Sequence, residues 1–397
     1  MDIIKRLIEE QKELNQELAS FLHDKGVRKL SLTAFGNSIS SGYSLTRTIK
    51  PLLLRNESIS SAMSDKGINL ERHNFARAQN NSDEHLFDWL QSDISESDIS
   101  RFNRLDYSSC ETSMVTHGLN HEKIEEYYPV DESVKATIND VFFKSQEGLA
   151  NIIIYNGCTG SFLDAISRKG ALFQQLFYGV KRDTCSLEAI LKYIQYRNRK
   201  DNSNTQVYIC GVPDLYGIKV SELINSRLKK IAKKYANTVY VEPVKAKMFY
   251  EILDSKSNDK NKSKTFDVHY DEEEYTRFNN NILKSIINNY ETTKSMIDAD
   301  RRLNKLSTLI ETSAFHLVDD SSRRKDIIDG IIGEEYRKID DPVAKKYFLN
   351  RLKNYLISRF PYDFYFLGKK EISNSILDVK SKEKKKAYGY AYKHISN

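Results

Sequence analysis

The sequence predicts an α/β fold, a three-layer αβα sandwich in which helices cover both faces of a parallel β-sheet, followed by a helical C-terminal extension. Two observations predict it. Short apolar, β-branched runs alternate with segments of helical periodicity, and right-handed crossovers join such units into a parallel sheet. After residue 290 the strand-like runs give way to long helical patterns, which predict the extension.

Five runs have the length and composition of strands. They cover residues 29–35, 69–78, 150–156, 206–211 and 238–241, and the second is the weakest because half of its residues are polar. Helical spacing follows at 83–91, 187–196, 220–235 and 273–289. Because parallel strands end at one edge of the sheet, the residues that follow them are expected to converge there.

These patterns divide the chain into three regions. Residues 1–27 predict an amphipathic helix, residues 28–290 the α/β domain, and residues 291–397 the basic helical extension. Within the second region, residues 95–148 are rich in Ser, Asp, Asn and Tyr and predict a long insertion over the strand ends. One further strand-like run lies at 363–367.

Charge and cysteine usage narrow the class of protein. The net charge of +6 concentrates in residues 351–397, where eleven Lys and Arg residues accompany four Asp and Glu residues. No apolar run approaches the roughly 20 residues that span a bilayer, and the N-terminal segment lacks the apolar core of a signal peptide. The four cysteines contain no CxxC pair, which argues against a disulfide framework or zinc knuckle. We therefore expect a cytoplasmic protein without a membrane span.

Two polar stretches carry candidate chemistry. Ser38 comes almost directly after the first predicted strand, and His269 precedes a predicted helix whose first turn is rich in carboxylates. A histidine near its ordinary pKa can take a proton from a serine hydroxyl while a carboxylate holds its other nitrogen, and Asp267 is the nearest candidate. Taken alone, the segment Gly36-Asn37-Ser38 is also typical of a turn or helix N-cap. Cys158 is an alternative nucleophile, although a cysteine at that place is more typical of a core.

Together these segments resemble the SGNH hydrolases, also called GDSL-type esterases and lipases, over about residues 28–290. The matching blocks are Gly36-Asn37-Ser38-Ile39-Ser40, Asn74-Phe75-Ala76-Arg77-Ala78-Gln79, Gly157-Cys158-Thr159-Gly160 and Phe266-Asp267-Val268-His269-Tyr270-Asp271. The resemblance implies the SGNH or flavodoxin-like form of the sandwich.

The resemblance also implies a mechanism. Ser38 would attack an ester carbonyl with His269 as the base, through an acyl-enzyme. Either Asp267 orients His269, or Asp267 faces solvent and a main-chain carbonyl supports a Ser–His dyad. The oxyanion would be bound by the backbone N–H groups of Ser38 and Gln79 and by a side chain, that of Thr159, Asn156 or Asn80. The implied substrate is an acyl ester, such as an O-acetyl group on a glycan or small metabolite. Neither a cofactor nor a metal ion is expected.

Three positions depart from the family pattern. Gln79 stands for a glycine, Thr159 for an asparagine, and Phe266 for the family's aspartate. They motivate an alternative, a catalytically degenerate binding or scaffold protein whose basic segment 351–397 docks on an acidic partner. The aromatic and basic run at 360–370 has the composition of a single-strand nucleic-acid platform, but the buried edge of the extension is the favoured interpretation, so nucleic acid is not expected as a partner.

Overall fold

The computed structural model describes residues 3–36, 57–76, 138–156, 173–215, 219–246, 270–316 and 330–359. The strands are β1 (Lys29–Gly36), β2 (Asn69–Asn74), β3 (Leu149–Asn156), β4 (Thr205–Cys210), β5 (Asp214–Leu215), β6 (Thr238–Val241) and β7 (Lys245–Ala246). The helices are α1 (Ile3–Asp24), α2 (Glu57–Asp65), α3 (Phe173–Lys200), α4 (Lys219–Ala232), α5 (Glu272–His316) and α6 (Pro342–Arg359). A π-helical turn covers Ile138–Phe142, and residues 330–337 are also helical.

The main sheet has five parallel strands in the order β2-β1-β3-β4-β6, which confirms the predicted α/β fold with a parallel sheet. From β1 the chain first adds a strand on one side, β2, and later continues on the other side with β3. The topological switch point therefore lies between β1 and β3. A second, two-stranded sheet pairs β5 with β7.

Each of the five strand-like runs overlaps a strand of the main sheet, with differences of one residue at the ends of β1, β3 and β4. β2 is shorter than its run because the chain turns at Asn74, whose Oδ1 accepts a hydrogen bond from the backbone N–H of Ala76 at 3.1 Å. Such an Asx turn ends a strand by bonding the backbone locally. The backbone N–H of Phe75 still donates to the Ala34 carbonyl at 2.9 Å, so the turn stays attached to β1.

Helical segments contact the sheet through polar side chains of neighbouring strand residues. On β3, Asn151 Nδ2 donates to the carbonyl of Phe142 at 3.0 Å. On β4, Gln206 Nε2 donates to the carbonyl of Tyr290 in α5 at 3.0 Å. Asn151 is the register partner of Thr205, the residue before Gln206, and successive strand side chains alternate between faces. The two hydrogen bonds therefore leave opposite faces of the sheet.

Helix α1 buries one of its faces. Its buried leucines, Leu7, Leu14, Leu18 and Leu22, are spaced seven, four and four residues apart and so lie on one face. A polar contact joins it to α2, where Asn15 Nδ2 donates to Ser58 Oγ at 3.0 Å. Burial of one face thus fixes α1 beside the first crossover helix.

The described residues divide into two compact units, one ending at Tyr290 and the other starting at Glu291. The second unit, called here the helical unit, has an apolar core. Its buried members among the described residues are Ala299, Leu303, Leu306, Ile310, Ile331, Ile332, Ile339, Ala344, Phe348, Leu352, Tyr355 and Leu356. The periodic leucines and isoleucines of the sequence supply much of this core.

Helix α5 is longer than the sequence patterns suggest. The segment predicted at 273–289 and the later pattern around Leu303 belong to one helix of 45 residues. Residues 272–316 contain neither glycine nor proline, so nothing in the sequence breaks it.

Within the described ranges, no helix combines the length and apolar character needed to cross a membrane. The predicted helix at 83–91, the strand at 363–367 and most of the insertion lie outside those ranges.

Candidate functional site

The carboxyl ends of four neighbouring strands lie at one edge of the sheet. Gly36 at the end of β1 is the register partner of Asn156 at the end of β3, and Tyr155 pairs with Ile209 near the end of β4. Ala34 pairs with Asn74, the last residue of β2. Adjacent strands are about 4.8 Å apart, so β1 and β4 are separated by about 10 Å. This carboxyl edge is the candidate site.

Asn156 is the single predicted site residue that the structure describes. The others, Ser38, Gln79, Thr159, Asp267 and His269, lie outside the described residues. Asn156 is 2% exposed and ends β3, three positions before Thr159. Ser38 follows Gly36 by two positions. The strand ends from which these two candidates depart are therefore paired neighbours.

Aromatic rings pack beneath the ends of β1 and β2. The Phe35 ring lies 5.4 Å from the ring of Phe75, just past β2, and 6.3 Å from the ring of Phe142. His73 stacks on Phe75 with an interplanar angle of 10°. Phe35 is fully buried, so the backbone that leads to Ser38 starts from a closely packed strand end.

The end of β4 is fixed by a side-chain clamp from α4. Asn225 Oδ1 accepts from the backbone N–H of Val212 at 2.8 Å, and Asn225 Nδ2 donates to the Val212 carbonyl at 3.0 Å. The preceding Gly211 has no room for a side chain, since a Cβ atom there would collide with Tyr240 Oη and lie 2.9 Å from Asn225 Oδ1. The loop of residues 211–213, called here the rim loop because it leaves the carboxyl edge of the sheet after β4, is thus held from its first two residues.

The N-terminus of α5 carries a capping box. The backbone N–H of Glu274 donates to Asp271 Oδ1 at 2.8 Å, and the backbone N–H of Asp271 donates to Glu274 Oε2 at 2.9 Å. Two otherwise unpaired helix-terminal groups are satisfied reciprocally in this motif. Asp271 is therefore occupied with the cap, two positions after His269.

Tyr270 anchors the chain just before this cap. Its side chain is 1% exposed and its ring lies 5.5 Å from the rings of Tyr275 and Phe278, the first at an interplanar angle of 88°. The backbone of Val244 hydrogen-bonds the Tyr270 phenol, and burial raises the pKa of that phenol well above its usual range. Contact between the residue before the cap and the residue four positions into the helix is a hydrophobic staple.

Cys210, at the end of β4, adds to the effect of burial in raising the pKa of the Tyr270 phenol. Burial raises the pKa of the Cys210 thiol, so this sulfur stays protonated at neutral pH. A buried, neutral thiol is a small apolar core group and not an activated nucleophile.

An open groove of about 470 Å³ lies between α1, the β6–β7 loop and the first turns of α5. It is lined by Leu7, Glu10, Pro243, Val244, Lys245, Glu273, Arg277, Asn280, Asn281 and Lys284. Lys284 Nζ lies 2.6 Å from Glu10 Oε1, and this hydrogen bond is the main cause of the lowered pKa of Glu10. Arg277 donates from Nε and Nη2 to Glu273 Oε1. The groove is mainly polar and begins beside Val244, the hydrogen-bond partner of Tyr270.

The sequence patterns above do not predict the staple formed by Tyr270 or the clamp of Asn225 on Val212. The D-x-x-E spacing of Asp271 and Glu274, with aromatic residues at 270 and 275, is a readable capping signal. Asn225 has no such local signal, because its partner is thirteen positions away on another element. Among the described residues, no group of three or more His, Cys, Asp and Glu side chains is arranged to hold a metal ion.

Neither a scan of protein-family models nor a search of curated proteins finds a match to this chain.

Proposed function

We propose that the protein is a serine hydrolase of the SGNH type that cleaves an acyl ester, such as an O-acetyl group on a glycan or small metabolite. The strand order β2-β1-β3-β4-β6 carries the proposal. Ser38 follows β1 and Thr159 follows β3, the two strands that flank the switch point, and open α/β sheets bind their ligands at that crevice. The resemblance to the SGNH blocks supplies the chemistry.

Ser38 Oγ forms a bond to the ester carbonyl carbon as its proton passes to His269, and the alcohol leaves with that proton. Water then attacks the acyl-enzyme, releases the carboxylic acid and restores the Ser38 hydroxyl. Asp267 orients His269. Backbone N–H groups of Ser38 and Gln79 bind the oxyanion, together with the side chain of Thr159 or Asn156.

The anchor at Tyr270 supports the pairing of Ser38 with His269. Tyr270 directly follows His269 in the chain, and after burial the largest cause of the raised pKa of its phenol is Cys210, at the end of β4. β4 is two strands from β1, a separation of about 10 Å.

The same proposal extends to the whole fold and to the alcohol. Helices on the two sheet faces complete a three-layer sandwich, and residues 291–397 form an appended helical extension.

The polar groove beside Val244 receives the alcohol part of the ester, because its carboxylates, carboxamides and cations offer both donors and acceptors to hydroxyl groups. A glycan or another polyol suits that lining.

Hydrolysis of p-nitrophenyl acetate and butyrate, together with labelling by a fluorophosphonate, tests the function. Ser38→Ala is expected to lower kcat/KM by at least about 10³-fold and to abolish the adduct. Ser40→Ala, a matched change two residues away, is expected to keep both. An adduct at another residue would refute the assignment of Ser38.

A different result supports the alternative. If the wild-type protein folds but shows no turnover that depends on Ser38, the departures at Gln79, Thr159 and Phe266 have removed catalysis. The protein is then a binding or scaffold protein, and residues 351–397 are the segment to test against an acidic partner.

A further inference from the structure

We infer that the polar groove between α1, the β6–β7 loop and the first turns of α5 binds a neutral polyhydroxylated molecule, such as a sugar, and that Glu10 of α1 selects it. The inference rests on the proposed function only for the step that makes this molecule the alcohol of a cleaved ester. Binding itself is argued from contacts among the groove residues. The groove volume of about 470 Å³ lies within the range of about 300–1,000 Å³ that is usual for small-molecule sites.

Side chains of α5 hold the walls of the groove in place. Asn280 Nδ2 donates to the Leu7 carbonyl and to Glu10 Oε2, each at 3.2 Å. Lys284 Nζ lies 2.6 Å from Glu10 Oε1. Asn281 Nδ2 donates to the first backbone carbonyl after β6 at 3.3 Å. Because these bonds fix α1 and the β6–β7 loop against α5, the groove is formed before a ligand enters, which lowers the cost of binding.

Four of the five charged side chains that line the groove form two ion pairs. Glu10 pairs with Lys284, and Glu273 accepts from Arg277. The fifth is Lys245. An anion in the groove would lie beside two carboxylates, and a cation would lie beside ammonium and guanidinium groups, so either ion would meet repulsion from a like charge. An uncharged ligand meets none, which favours a neutral molecule.

The paired groups keep hydrogen-bonding capacity that hydroxyl groups can use. The Glu10 carboxylate has about four acceptor positions, and the protein contacts described use two of them, from Lys284 and Asn280. Lys284 is 49% exposed and Glu10 is 36% exposed, so a ligand can reach both. Arg277 directs Nε and Nη2 to Glu273 and leaves its Nη1 group without a partner among the described residues. A sugar hydroxyl both donates and accepts, and it therefore matches this mixture.

Asn280 gives a second, independent indication of a ligand. Its side chain is 3% exposed, yet its Oδ1 has no hydrogen-bond partner within the part of the chain that the structure describes. A buried polar atom without a partner costs free energy. A ligand hydroxyl seated against Asn280 can donate to this oxygen, so binding would satisfy an acceptor that these protein groups leave unpaired.

Sugar binding is tested without any ester. Saturation-transfer difference NMR is applied to a panel of methyl glucoside, methyl galactoside, N-acetylglucosamine and cellobiose, and at least one of them is expected to bind. Glucuronate and glucosamine, which carry a carboxylate or an ammonium group, are expected to bind at least about tenfold more weakly. In protein labelled with ¹⁵N-asparagine, the side-chain amide signal of Asn281, assigned by its loss in Asn281→Asp, is expected to shift when the sugar is added.

Glu10→Gln, which removes the charge and keeps the shape, is the test variant. It is expected to weaken sugar binding by about tenfold, because a hydrogen bond to a charged acceptor is replaced by one to a neutral amide. Glu9→Gln, at the exposed neighbouring position outside the groove, is the matched control and is expected to keep the wild-type affinity. Arg277→Gln is a second groove variant that is expected to weaken binding, and the unfolding midpoint verifies that each protein is folded.

Three results would each overturn the inference: no binding by any sugar of the panel, equal affinity of Glu10→Gln and wild type, or tighter binding of a charged analogue. The outcome is separate from that of the hydrolase assay. Absence of Ser38-dependent turnover would refute the hydrolase and leave sugar binding in the groove intact. Ester hydrolysis without sugar binding would refute the groove as a polyol site and leave the assignment of Ser38 intact.

Discussion

The carboxyl edge of the sheet and the core of the helical unit are stabilised by different kinds of contact. At the edge, backbone groups are held by specific polar partners, as in the clamp of Asn225 on Val212 and the capping box of Asp271 and Glu274. Among the described residues, the helical unit is held by twelve buried, mostly aliphatic side chains, of which eleven lie on three helical segments and one, Ile339, lies between two of them.

Because the two regions are held by different contacts, substitutions in them should affect stability and turnover to different extents. Apolar packing has no preferred direction, so a defect in it weakens the fold without aiming any group. Hydrogen bonds to loop backbone are directional, and their loss displaces the groups that the loop carries. We therefore expect substitutions in the helical core to change stability most, and substitutions at the carboxyl edge to change turnover at a smaller cost in stability.

The largest loss of stability is expected for Phe348→Ala in the helical unit. Phe348 is fully buried, and removal of a buried phenylalanine ring costs about 3–5 kcal/mol in the free energy of unfolding. Urea denaturation measures this loss. Below the unfolding transition, kcat for p-nitrophenyl acetate should match that of the wild type.

Val343→Ala is the control in the same helix, because Val343 is 52% exposed and is expected to change stability by less than about 0.5 kcal/mol. A folded Phe348→Ala protein with reduced kcat would contradict the expected difference between the two regions, since it would show that the helical core also sets the geometry of the site.

A smaller loss is expected for Asn225→Ala at the carboxyl edge. Val212 is 0% exposed, so the variant leaves its N–H and carbonyl buried without the Asn225 side chain, at a cost of about 2 kcal/mol. Displacement of the rim loop should lower kcat/KM as well. Thermal unfolding and ester hydrolysis measure the two effects.

Two further variants test whether the effect comes from the hydrogen bonds of Asn225. Ser226→Ala changes the exposed neighbour in α4 and is expected to be neutral. Asn225→Asp keeps the acceptor for the Val212 N–H but removes the donor to its carbonyl, and is expected to lie between wild type and Asn225→Ala in stability. Equal activity of all three proteins would show that the rim loop does not shape the site.

The sheet was predictable because its strands are buried. β1, β3 and β4 have long apolar or β-branched runs, as expected of parallel strands covered on both faces. β2 was placed less well, because its five polar residues and single leucine, none of them buried, give no periodic signal and its end depends on one Asn74 hydrogen bond. The length of α5 was missed because two apolar patterns serving different cores looked like two helices.

The site is less predictable than the sheet for a physical reason. A nucleophile and its base are read from residue types near strand ends, which is local information. The clamp of Asn225 joins residues thirteen positions apart, and the phenol of Tyr270 meets a backbone group 26 positions earlier in the chain. Such partners become visible only when the fold brings two elements together.

The smallest expected effect is a loss of stability in mild acid, and it arises at His73 in β2. Burial lowers the pKa of His73 below its ordinary value of 6.5, with Lys29 acting in the same direction and Glu71 opposing it. His73 Nε2 is buried and has no hydrogen-bond partner among the described residues, so a proton there would be poorly solvated.

The sign follows from proton binding. Between the lowered folded pKa and 6.5, the unfolded chain binds more protons at residue 73 than the folded protein does, so the free energy of unfolding falls as the pH decreases through this window. His73→Gln removes the titrating group and should show a weaker decrease in the urea midpoint between pH 7.5 and pH 5.0. His23→Gln, at a half-exposed position, should keep the wild-type dependence. If the urea midpoint falls equally in His73→Gln and in the wild type, other groups cause the acid sensitivity. Burial of His73 would then add nothing to the pH dependence of stability.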